Sequence, residues 1–466
     1  MSIHIHQVQE MSKQVVTLWF GCALLPEGWA ERVRLSIAQG RISHVETGVD
    51  ALPGDERHAV ALPGVPNVHS HGFQRAMAGL TESRGPGGDS FWSWRELVYR
   101  LVGMLTPEQV EAITAQAFME MLETGFTRVG EFHYLHHAPD GRPYAHRGEL
   151  AARVAAAAAD TGIGLTLLPV FYAHGGFGGL DPAPAQRRFV TSVDEFAQLL
   201  EACRQATQRL DGSVVGVAPH SLRAVAPDEL PRIVAMSQEG PIHIHVAEQE
   251  REVTDCVAWS GQRPVEWLLD HAEVDGRWCL VHATHMTRGE TAALARRGAV
   301  AGLCPVTEAN LGDGLFPAPE FLAAGGLAGI GSDSNVLIDA AEEMRVLEYG
   351  QRLTRRSRNV LCRGADRSTA RTIFDAVQAG GARALGASPA GIAAGASADI
   401  VSLDATREVL LERKGDALLD GWVFAARDNV VDCVWRAGRA VVRHGRHVDR
   451  ARIARRFART LQELLR

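Results

Sequence analysis

The central part of the chain, residues 61–390, alternates short apolar runs with segments of helical character. The apolar runs end in polar or charged residues and cover Ala61–Asn67, Thr127–Glu131, Gly164–Phe171, Ser213–Pro219, Pro241–Val246, Trp278–His282, Ala299–Cys304 and Ala328–Gly331. Predicted helices lie between them, at Pro107–Glu123, Glu149–Thr161, Val193–Leu210, Asp228–Gln238, Val265–Ala272, Thr287–Arg297 and Pro319–Ala324. Strands that alternate with helices over about eight units predict an α/β fold, a (β/α)8 TIM-like barrel. In such barrels catalytic residues follow the strands.

Shorter β-rich runs flank this region on both sides. Those before it are Val15–Phe20, Arg32–Ala38 and Arg41–Val45, and those after it are Asp399–Leu403, Asn429–Ala437 and Arg439–Arg443. We therefore expect residues 1–60 and 391–449 to form a composite β-sandwich domain beside the barrel at 61–390. Residues 450–466 are expected to form a C-terminal helix, and residues 1–12 a tail.

Lysine is almost absent from the chain. Of the 48 Lys and Arg residues, only Lys13 and Lys414 are lysine, so none lies in the predicted barrel. This excludes from the barrel a lysine nucleophile, a P-loop lysine and a carbamylated lysine that bridges two metal ions. The formal net charge of −7 also argues against a general nucleic-acid binder, which would carry a basic surface.

The seven cysteines are scattered and form no CxxC pair. A disulfide framework or a cysteine zinc site is therefore not predicted, and a reducing, cytoplasmic location is. The N-terminus lacks the charged and apolar regions of a signal peptide. No charge-free apolar run reaches about 18 residues, so we expect no membrane partner.

Histidine and aspartate side chains stand at the ends of four predicted strands. His69 and His71 alternate on the first strand, so both can face the barrel mouth, while His245 ends the fifth, His282 ends the sixth and Asp333 follows the eighth. Convergent imidazole and carboxylate groups indicate a zinc or iron site. Each residue alone has an ordinary alternative, because a chain with 19 histidines can contain an HxH by chance and Asp333 could cap a helix.

Other residues near these strand ends have expected roles of their own. Glu248 lies three residues beyond His245, on the loop above the predicted metal site, where a general acid or base would be placed. His243 is expected to be a buried supporting histidine. His285 is expected to be a solvent-facing loop residue.

The HxH, the later histidines and the final aspartate resemble the pattern of the amidohydrolase superfamily, whose members often carry a small β domain built from both chain ends. Because the predicted barrel lacks lysine, the resemblance is to the mononuclear deaminase branch rather than to members with two metal ions. It implies one divalent metal ion per subunit. Zn²⁺ is the expected ion, although iron or manganese would accept the same ligands.

Several longer segments resemble one family within this branch, that of the formimidoylglutamate deiminases. They are His69–Leu80, Phe91–Arg95, Glu131–Tyr134, His243–Gln249 and Thr307–Gly314. Gly72 departs from that pattern, in which alanine is expected. The resemblance implies hydrolysis of the formimino C=N bond of N-formimino-L-glutamate, which gives N-formyl-L-glutamate and ammonia in histidine degradation.

The same resemblance implies a role for each site residue. The implied metal ligands are His69, His71, His245 and Asp333. The implied catalytic residues are Glu248 as proton donor to the imino nitrogen, His282 as orienting group and Asp333 as general base. The residues implied to bind the substrate and its two carboxylates are Gln74, Arg95, Tyr134, His220 and Arg223.

Arginine suits carboxylate binding because its guanidinium group can donate two parallel hydrogen bonds. A surface salt bridge is the alternative for any single arginine in a chain this rich in them. Arg95 ends an aromatic segment in a predicted long loop after the first strand, where a substrate lid could lie. His220 and Arg223 follow the predicted fourth strand, again at the barrel mouth.

Two other functions stay open from the sequence. An aminohydrolase of a purine, pyrimidine or triazine ring would need a flat apolar pocket with stacking residues instead of arginine clamps. A catalytically silent barrel would have lost metal ligands, whereas this chain retains all the candidates. The expected partner is a small molecule with two carboxylates, and the resemblance also implies a homodimer.

Overall fold

The computed structural model of the protein describes residues 15–83, 91–364, 367–387 and 391–466. The tail expected at residues 1–12 lies outside these residues. Within them, no helix combines the length and the apolar character needed to cross a membrane.

A curled parallel sheet forms the centre of the molecule, as the strand and helix alternation predicts. In chain order, its strands are β5 (Val65–Ser70), β6 (Phe126–His133), β7 (Gly164–Phe171), β8 (Val214–Val215), β9 (Ala218–Pro219), β10 (Ile242–Val246), β11 (Trp278–His282), β12 (Val300–Leu303) and β13 (Leu327–Ile330). The pairing order runs β10-β11-β12-β13-β5-β6-β7-β8, and β9 pairs with β7. Parallel bridges join Val217 to Ile242 and Ser221 to His245, which closes the ring between β9 and β10.

The fourth strand is shorter than predicted and is divided at Gly216. A side chain at this position would have its Cβ 2.3 Å from the carbonyl oxygen of Pro241, so only glycine fits there. The backbone of the fourth strand therefore approaches the fifth strand closely, at the expense of a regular ladder.

Helices cover the outside of the curled sheet. Seven of them agree closely with the prediction: Pro107–Glu123, Glu149–Thr161, Val193–Thr207, Leu230–Met236, Pro264–His271, Arg288–Arg297 and Ala318–Ala323. Others are Glu250–Ser260, Pro305–Leu311, Ala340–Arg355, Thr369–Ala384, Asp416–Asp420 and the terminal Arg450–Leu464. The apolar side chains of the described helices and strands form several buried clusters, and the largest contains residues of both the helices and the curled sheet.

The loop predicted around Arg95 is wrong, because the structure has a helix there, Phe91–Val102. Its buried residues are Phe91, Val98, Leu101 and Val102. This spacing places them on one face of a helix, which packs against the barrel. In the sequence, the aromatic residues at positions 91, 92 and 94 obscure this helical periodicity.

The two chain ends meet in a second sheet of eight strands. They are β1 (Val16–Leu25), β2 (Gly28–Ala38), β3 (Arg41–Glu46), β4 (Glu56–Pro63), β14 (Ile400–Leu403), β15 (Val431–Arg436), β16 (Arg439–Arg443) and β17 (Arg446–His447). Their order is β17-β16-β15-β14-β4-β1-β2-β3. β4 joins the two halves, because it pairs with β1 from the N-terminal segment and with β14 from the C-terminal segment. Both ends of the chain thus contribute to one sheet beside the barrel, as predicted, while the division into a β-sandwich domain and a barrel domain at residues 60 and 391 stays a prediction.

Candidate active site

Three strand ends of the barrel, those of β5, β10 and β13, bring three imidazoles and one carboxylate to a common point. The Nε2 atom of His69 lies 3.2 Å from Nε2 of His71 and 3.0 Å from Nε2 of His245. Oδ1 of Asp333 lies 3.4 Å from Nε2 of His69 and 3.3 Å from Nε2 of His71. These are the four residues that the sequence resemblance implied as metal ligands.

The hydrogen bonds of two of these histidines fix their tautomers. Nδ1 of His71 donates to the carbonyl oxygen of Phe132 at 3.0 Å, and Nδ1 of His245 donates to the carbonyl oxygen of His220 at 3.1 Å. In the neutral imidazoles the Nε2 atoms therefore carry lone pairs, and these point toward one another. Such an arrangement is repulsive unless a cation lies between the rings.

The spacing of the ligand atoms fits a metal ion. A tetrahedral zinc ion about 2.0–2.1 Å from each ligand would hold neighbouring ligand atoms about 3.3–3.4 Å apart. Burial lowers the pKa of His69 to about 3 and also lowers the pKa of His71 and of His245. Burial alone would raise the pKa of Asp333, but its hydrogen bond to His69 and the neighbouring imidazoles lower it. All four groups are thus held in the unprotonated state that a metal ion requires.

A buried polar network holds the metal-facing strand ends in place. Asn67 donates to Oγ of Ser332 at 2.7 Å, and Ser332 donates to Oδ1 of Asn335 at the same distance. Asn335 in turn donates to the carbonyl oxygens of His71 at 3.1 Å and Asp333 at 3.0 Å. This network was not predicted from the sequence. An Asn in the first strand and a Ser and Asn beside the final Asp were its only signal.

Glu248 and His282 lie on the open side of the metal-ligand cluster. Nε2 of His282 is 3.8 Å from Oε1 of Glu248 and 3.9 Å from Oδ2 of Asp333. Burial raises the pKa of Glu248 to about 7, against the lowering effect of His282 and Arg223. A carboxyl group with this pKa can both donate and accept a proton near neutral pH.

Glu308 is a site residue that the sequence analysis missed, although it lies in one of the family-like segments. Its Oε1 atom accepts hydrogen bonds from Nδ1 of His282 at 3.2 Å and from the backbone N–H of Cys304 at 2.9 Å. Burial alone would lower the pKa of His282, but Glu248, Glu308 and Asp333 outweigh it and raise that pKa to about 10. Glu308 thus fixes the ring so that Nε2 of His282 faces the cavity.

A cavity opens above this cluster of histidines and Asp333. Its lining contains every residue implied to bind substrate: Gln74, Arg95, Tyr134, His220 and Arg223. It also contains aromatic residues that the sequence analysis did not assign: Trp94, Tyr99, Tyr172 and Phe189. The walls are therefore aromatic, with two guanidinium groups among them.

Arg95 and Arg223 approach the cavity from different elements, with Trp92 between them. The guanidinium carbon of Arg95 lies 4.6 Å from the centre of the Trp92 ring, and that of Arg223 lies 5.9 Å from it. Arg223 also lies 3.9 Å from the carboxylate of Glu248 and 4.0 Å from that of Glu252. The guanidinium carbon of Arg95 also lies 5.6 Å from the centre of the Tyr99 ring, and both side chains line the cavity.

The remaining predicted residues sit at the base of the cavity. Gln74 donates to the hydroxyl oxygen of Tyr134 at 3.0 Å, so these two side chains act as a unit. Oε1 of Gln74 is buried and has no hydrogen-bond partner among the described residues. His220 packs between Tyr172 and His245, with ring centres 4.7 Å and 5.1 Å away.

The structure also accounts for other residues discussed from the sequence. His243 is fully buried and donates to the carbonyl oxygen of Ala384 at 2.7 Å, consistent with a supporting role. The solvent-facing position expected for His285 is wrong, because it is half-buried and donates to the carbonyl oxygen of Asp313. Glycine at position 72 fits its surroundings, since a Cβ there would lie 2.9 Å from the Thr114 side chain.

Comparison with known proteins agrees with this geometry. The sequence profile of the amidohydrolase family matches residues 60–441. A second profile, described as the N-terminal domain of formimidoylglutamate deiminase HutF, matches residues 18–59. The chain therefore belongs to the amidohydrolase family.

Individual relatives show which members of the family this chain is most similar to among those compared. The chain is 52% identical to formimidoylglutamate deiminase from Pseudomonas aeruginosa over 445 residues, which cover 95% of this chain and 98% of the relative. It is 30% identical to a 5-methylthioadenosine/S-adenosylhomocysteine deaminase from Natronomonas pharaonis, over 75% of each chain. The crystal structure of an amidohydrolase from Brucella melitensis superposes with a TM-score of 0.94 at 56% identity, covering 97% of this chain and 100% of that one. The family predicted from the strand-end residues is confirmed.

Proposed function

We propose that the protein hydrolyses N-formimino-L-glutamate to N-formyl-L-glutamate and ammonia, in histidine degradation. The observation that carries this proposal is the pair of arginines, Arg95 and Arg223, in the wall of a cavity whose floor is the metal-ligand cluster. This arrangement suits a substrate with carboxylates at one end and a hydrolysable C–N bond at the other. The relative at 52% identity is named for this activity.

The metal ion implied by the ligand cluster is one Zn²⁺ per subunit. His69, His71, His245 and Asp333 would hold it, and nitrogen and oxygen ligands of this kind suit zinc. When bound, the ion supplies a Lewis acid that lowers the pKa of a water molecule. We also propose that the enzyme is located in the cytoplasm and forms a homodimer.

The proton transfers fall to residues that face one another across the cavity floor. Asp333 accepts a proton from the attacking water, which adds to the amidine carbon. The formimino group binds as a cation, so its nitrogen carries two hydrogens after water adds, and Glu248 delivers the third proton. Ammonia then leaves as the C–N bond breaks, and the hydroxyl proton of the intermediate returns to Glu248 while the formyl C=O bond forms. The proton taken by Asp333 passes to solvent. His282, held by Glu308, donates through Nε2 to the developing charge on the attacking oxygen.

The two ends of the substrate are held by different groups. Arg95 and Arg223 bind the carboxylates, and Tyr134 and His220 line the space between these groups and the cavity floor. Gln74 offers its free amide oxygen to an N–H of the formimino group. The apolar walls exclude water around these contacts, which strengthens them.

Replacement of Arg95 by alanine is expected to raise KM about 10- to 100-fold, because a hydrogen bond to a charged group contributes about 1.5–3 kcal/mol. The kcat is expected to change less, and the metal content should stay constant. Steady-state kinetics with N-formimino-L-glutamate measure both constants. Arg100→Ala is the matched control, since Arg100 lies on the same helix and is exposed. An unchanged KM for Arg95→Ala would remove this residue from the carboxylate site.

Replacement of Glu308 by alanine is expected to lower kcat about 10- to 100-fold, a typical effect for residues that orient groups at a metal site. His282 would lose the acceptor that fixes its ring, while KM would change little. Glu308→Gln keeps an acceptor and should retain more activity than the alanine variant. Equal kcat values for Glu308→Ala and the unaltered enzyme, at equal metal content, would contradict the positioning role.

A ring aminohydrolase is the second candidate, because the relative at 30% identity is a deaminase of adenosine derivatives and the cavity walls are aromatic. An ammonia-release assay that compares N-formimino-L-glutamate with adenosine, guanine and cytosine, and measures the metal content of the same sample, tests both functions. Much faster turnover of a purine or pyrimidine would overturn the first proposal. The two guanidinium groups in the cavity wall, those of Arg95 and Arg223, favour the dicarboxylate.

A further inference from the structure

We propose that the eight-stranded sheet built from both chain ends, the terminal sheet, carries a second metal site formed by His58, Asp432 and Cys433. The site would bind a divalent cation that prefers nitrogen and sulfur ligands, such as Zn²⁺. One ligand atom of each residue lies within 4.8 Å of the others. Imidazole, thiolate and carboxylate groups together are typical ligands of zinc and atypical of calcium or magnesium.

An irregularity in the sheet brings two consecutive side chains to this site. Neighbouring residues of a strand normally point to opposite faces. On β15, however, Cys433 pairs with Ser402 while Val431 pairs with Leu403, so Asp432 has no partner on β14. Such a bulge redirects a side chain, and here it places Asp432 beside Cys433.

His58 reaches the same place because β14 is short. The pairing of β14 with β4 ends where Leu403 meets Val60. His58 lies two residues before Val60 on β4, where β4 has no β14 partner. Its side chain therefore contacts β15, and Nδ1 of His58 lies 3.5 Å from Oδ2 of Asp432. The ring centre of His58 is 4.7 Å from that of Trp435 on β15.

The hydrogen bonds of His58 present a ring nitrogen to the site. Its Nε2 atom donates to Oε1 of Glu56 at 3.0 Å, and Arg443 holds Glu56 at 2.6 Å. Nδ1 of His58 faces Oδ2 of Asp432 at 3.5 Å. A lone pair opposite a carboxylate is unfavourable unless a cation lies between them. A carboxylate that orients a histidine toward a metal ion is a common arrangement in metal sites.

Cys433 supplies the sulfur ligand of this site. The residue is 1% exposed, and its thiol forms no disulfide. Burial raises the pKa of this thiol to about 12, so the metal-free protein carries Cys433 as S–H near neutral pH. Binding of a divalent cation would form a metal–sulfur bond and release the thiol proton to solvent. Nδ1 of His444, 3.4 Å from Oδ1 of Asp432 and almost fully exposed, stands close enough to add a ligand.

Cobalt(II) reconstitution of the chelator-treated full-length protein tests this site. The ligands of the catalytic site contain no sulfur, so a thiolate-to-cobalt charge-transfer band in the near ultraviolet would report the second site. We expect this band and one metal ion per chain beyond the catalytic site in the unaltered protein, and the same band in His245→Ala, which lacks a catalytic ligand.

Cys433→Ser is expected to lose both the band and the additional ion while it keeps its deiminase activity, which also shows that it folds. Cys22→Ser is the matched control, since Cys22 is a half-buried cysteine of the same sheet, and it should keep the band. His58→Gln should weaken metal binding at this site. Absence of the thiolate-to-cobalt band in the unaltered protein, or an undiminished band in Cys433→Ser, would overturn the second metal site. His58 would then link Glu56 and Asp432 by hydrogen bonds alone.

Discussion

Glu248→Gln is expected to lower kcat by about two to four orders of magnitude, the usual contribution of a positioned acid or base. The amide keeps the size of the side chain but cannot deliver a proton to the imino nitrogen. Glu248 is not among the metal ligands, so the metal content should remain that of the unaltered enzyme. Steady-state kinetics together with elemental analysis of the same sample measure both outcomes.

Two results would separate this role from others. Loss of the metal ion in Glu248→Gln or Glu248→Ala would mean that Glu248 is itself a ligand. A kcat within a few-fold of the unaltered value would mean that another group donates the proton. Glu250→Gln is a suitable control, because it replaces a neighbouring carboxylate at the start of the next helix, Glu250–Ser260.

Removal of the metal ion is expected to abolish activity and Zn²⁺ to restore it. The Nε2 atoms of His69, His71 and His245 converge on one point, and without a cation the facing lone pairs of His71 and His245 are unfavourable. A ligand variant such as His71→Ala should bind the catalytic ion far more weakly and should not recover at the Zn²⁺ concentration that restores the unaltered enzyme. Activity after dialysis against a chelator, followed by titration with Zn²⁺, Fe²⁺ and Mn²⁺, measures these outcomes and the metal preference.

Apo protein that keeps full activity, with elemental analysis showing less than one ion for every ten chains, would contradict a metal-dependent reaction. Metal removal should also lower the thermal stability of the protein, since the bound ion stabilises only the folded state. The second site proposed on the terminal sheet is separable by the Cys433→Ser variant, which should lose and regain activity as the unaltered enzyme does.

The barrel and the side chains that converge at its mouth could be predicted because their signals are local. A β-strand that is buried on both faces is a continuous apolar run, and the ligand follows where the run ends, as His245 and His282 do. The HxH of His69 and His71 predicts that both side chains lie on the same face of the strand, because alternate residues of a strand share a face. The near absence of lysine excluded a second, lysine-bridged ion.

Other parts of the site depend on contacts between distant segments and gave little signal. Glu308 matters because it meets His282, 26 residues earlier in the chain, and the Asn67–Ser332 bond spans 265 residues. The helix that carries Arg95 was predicted as a loop, because aromatic residues in a short run suggest a lid as readily as a buried helix face. The division of the fourth strand follows from the close approach of Gly216 to Pro241, which no local pattern reveals.

The position of β4 has a consequence for how the chain is made. Its partner β14 lies more than 330 residues later, since Val60 pairs with Leu403. During synthesis on the ribosome, the edge of β4 that pairs with β14 therefore stays unpaired until the barrel has been translated. Contacts of such high sequence separation slow folding, and exposed strand edges promote aggregation. The nascent chain should accordingly depend on chaperones most strongly just before the ribosome releases residues 400–447.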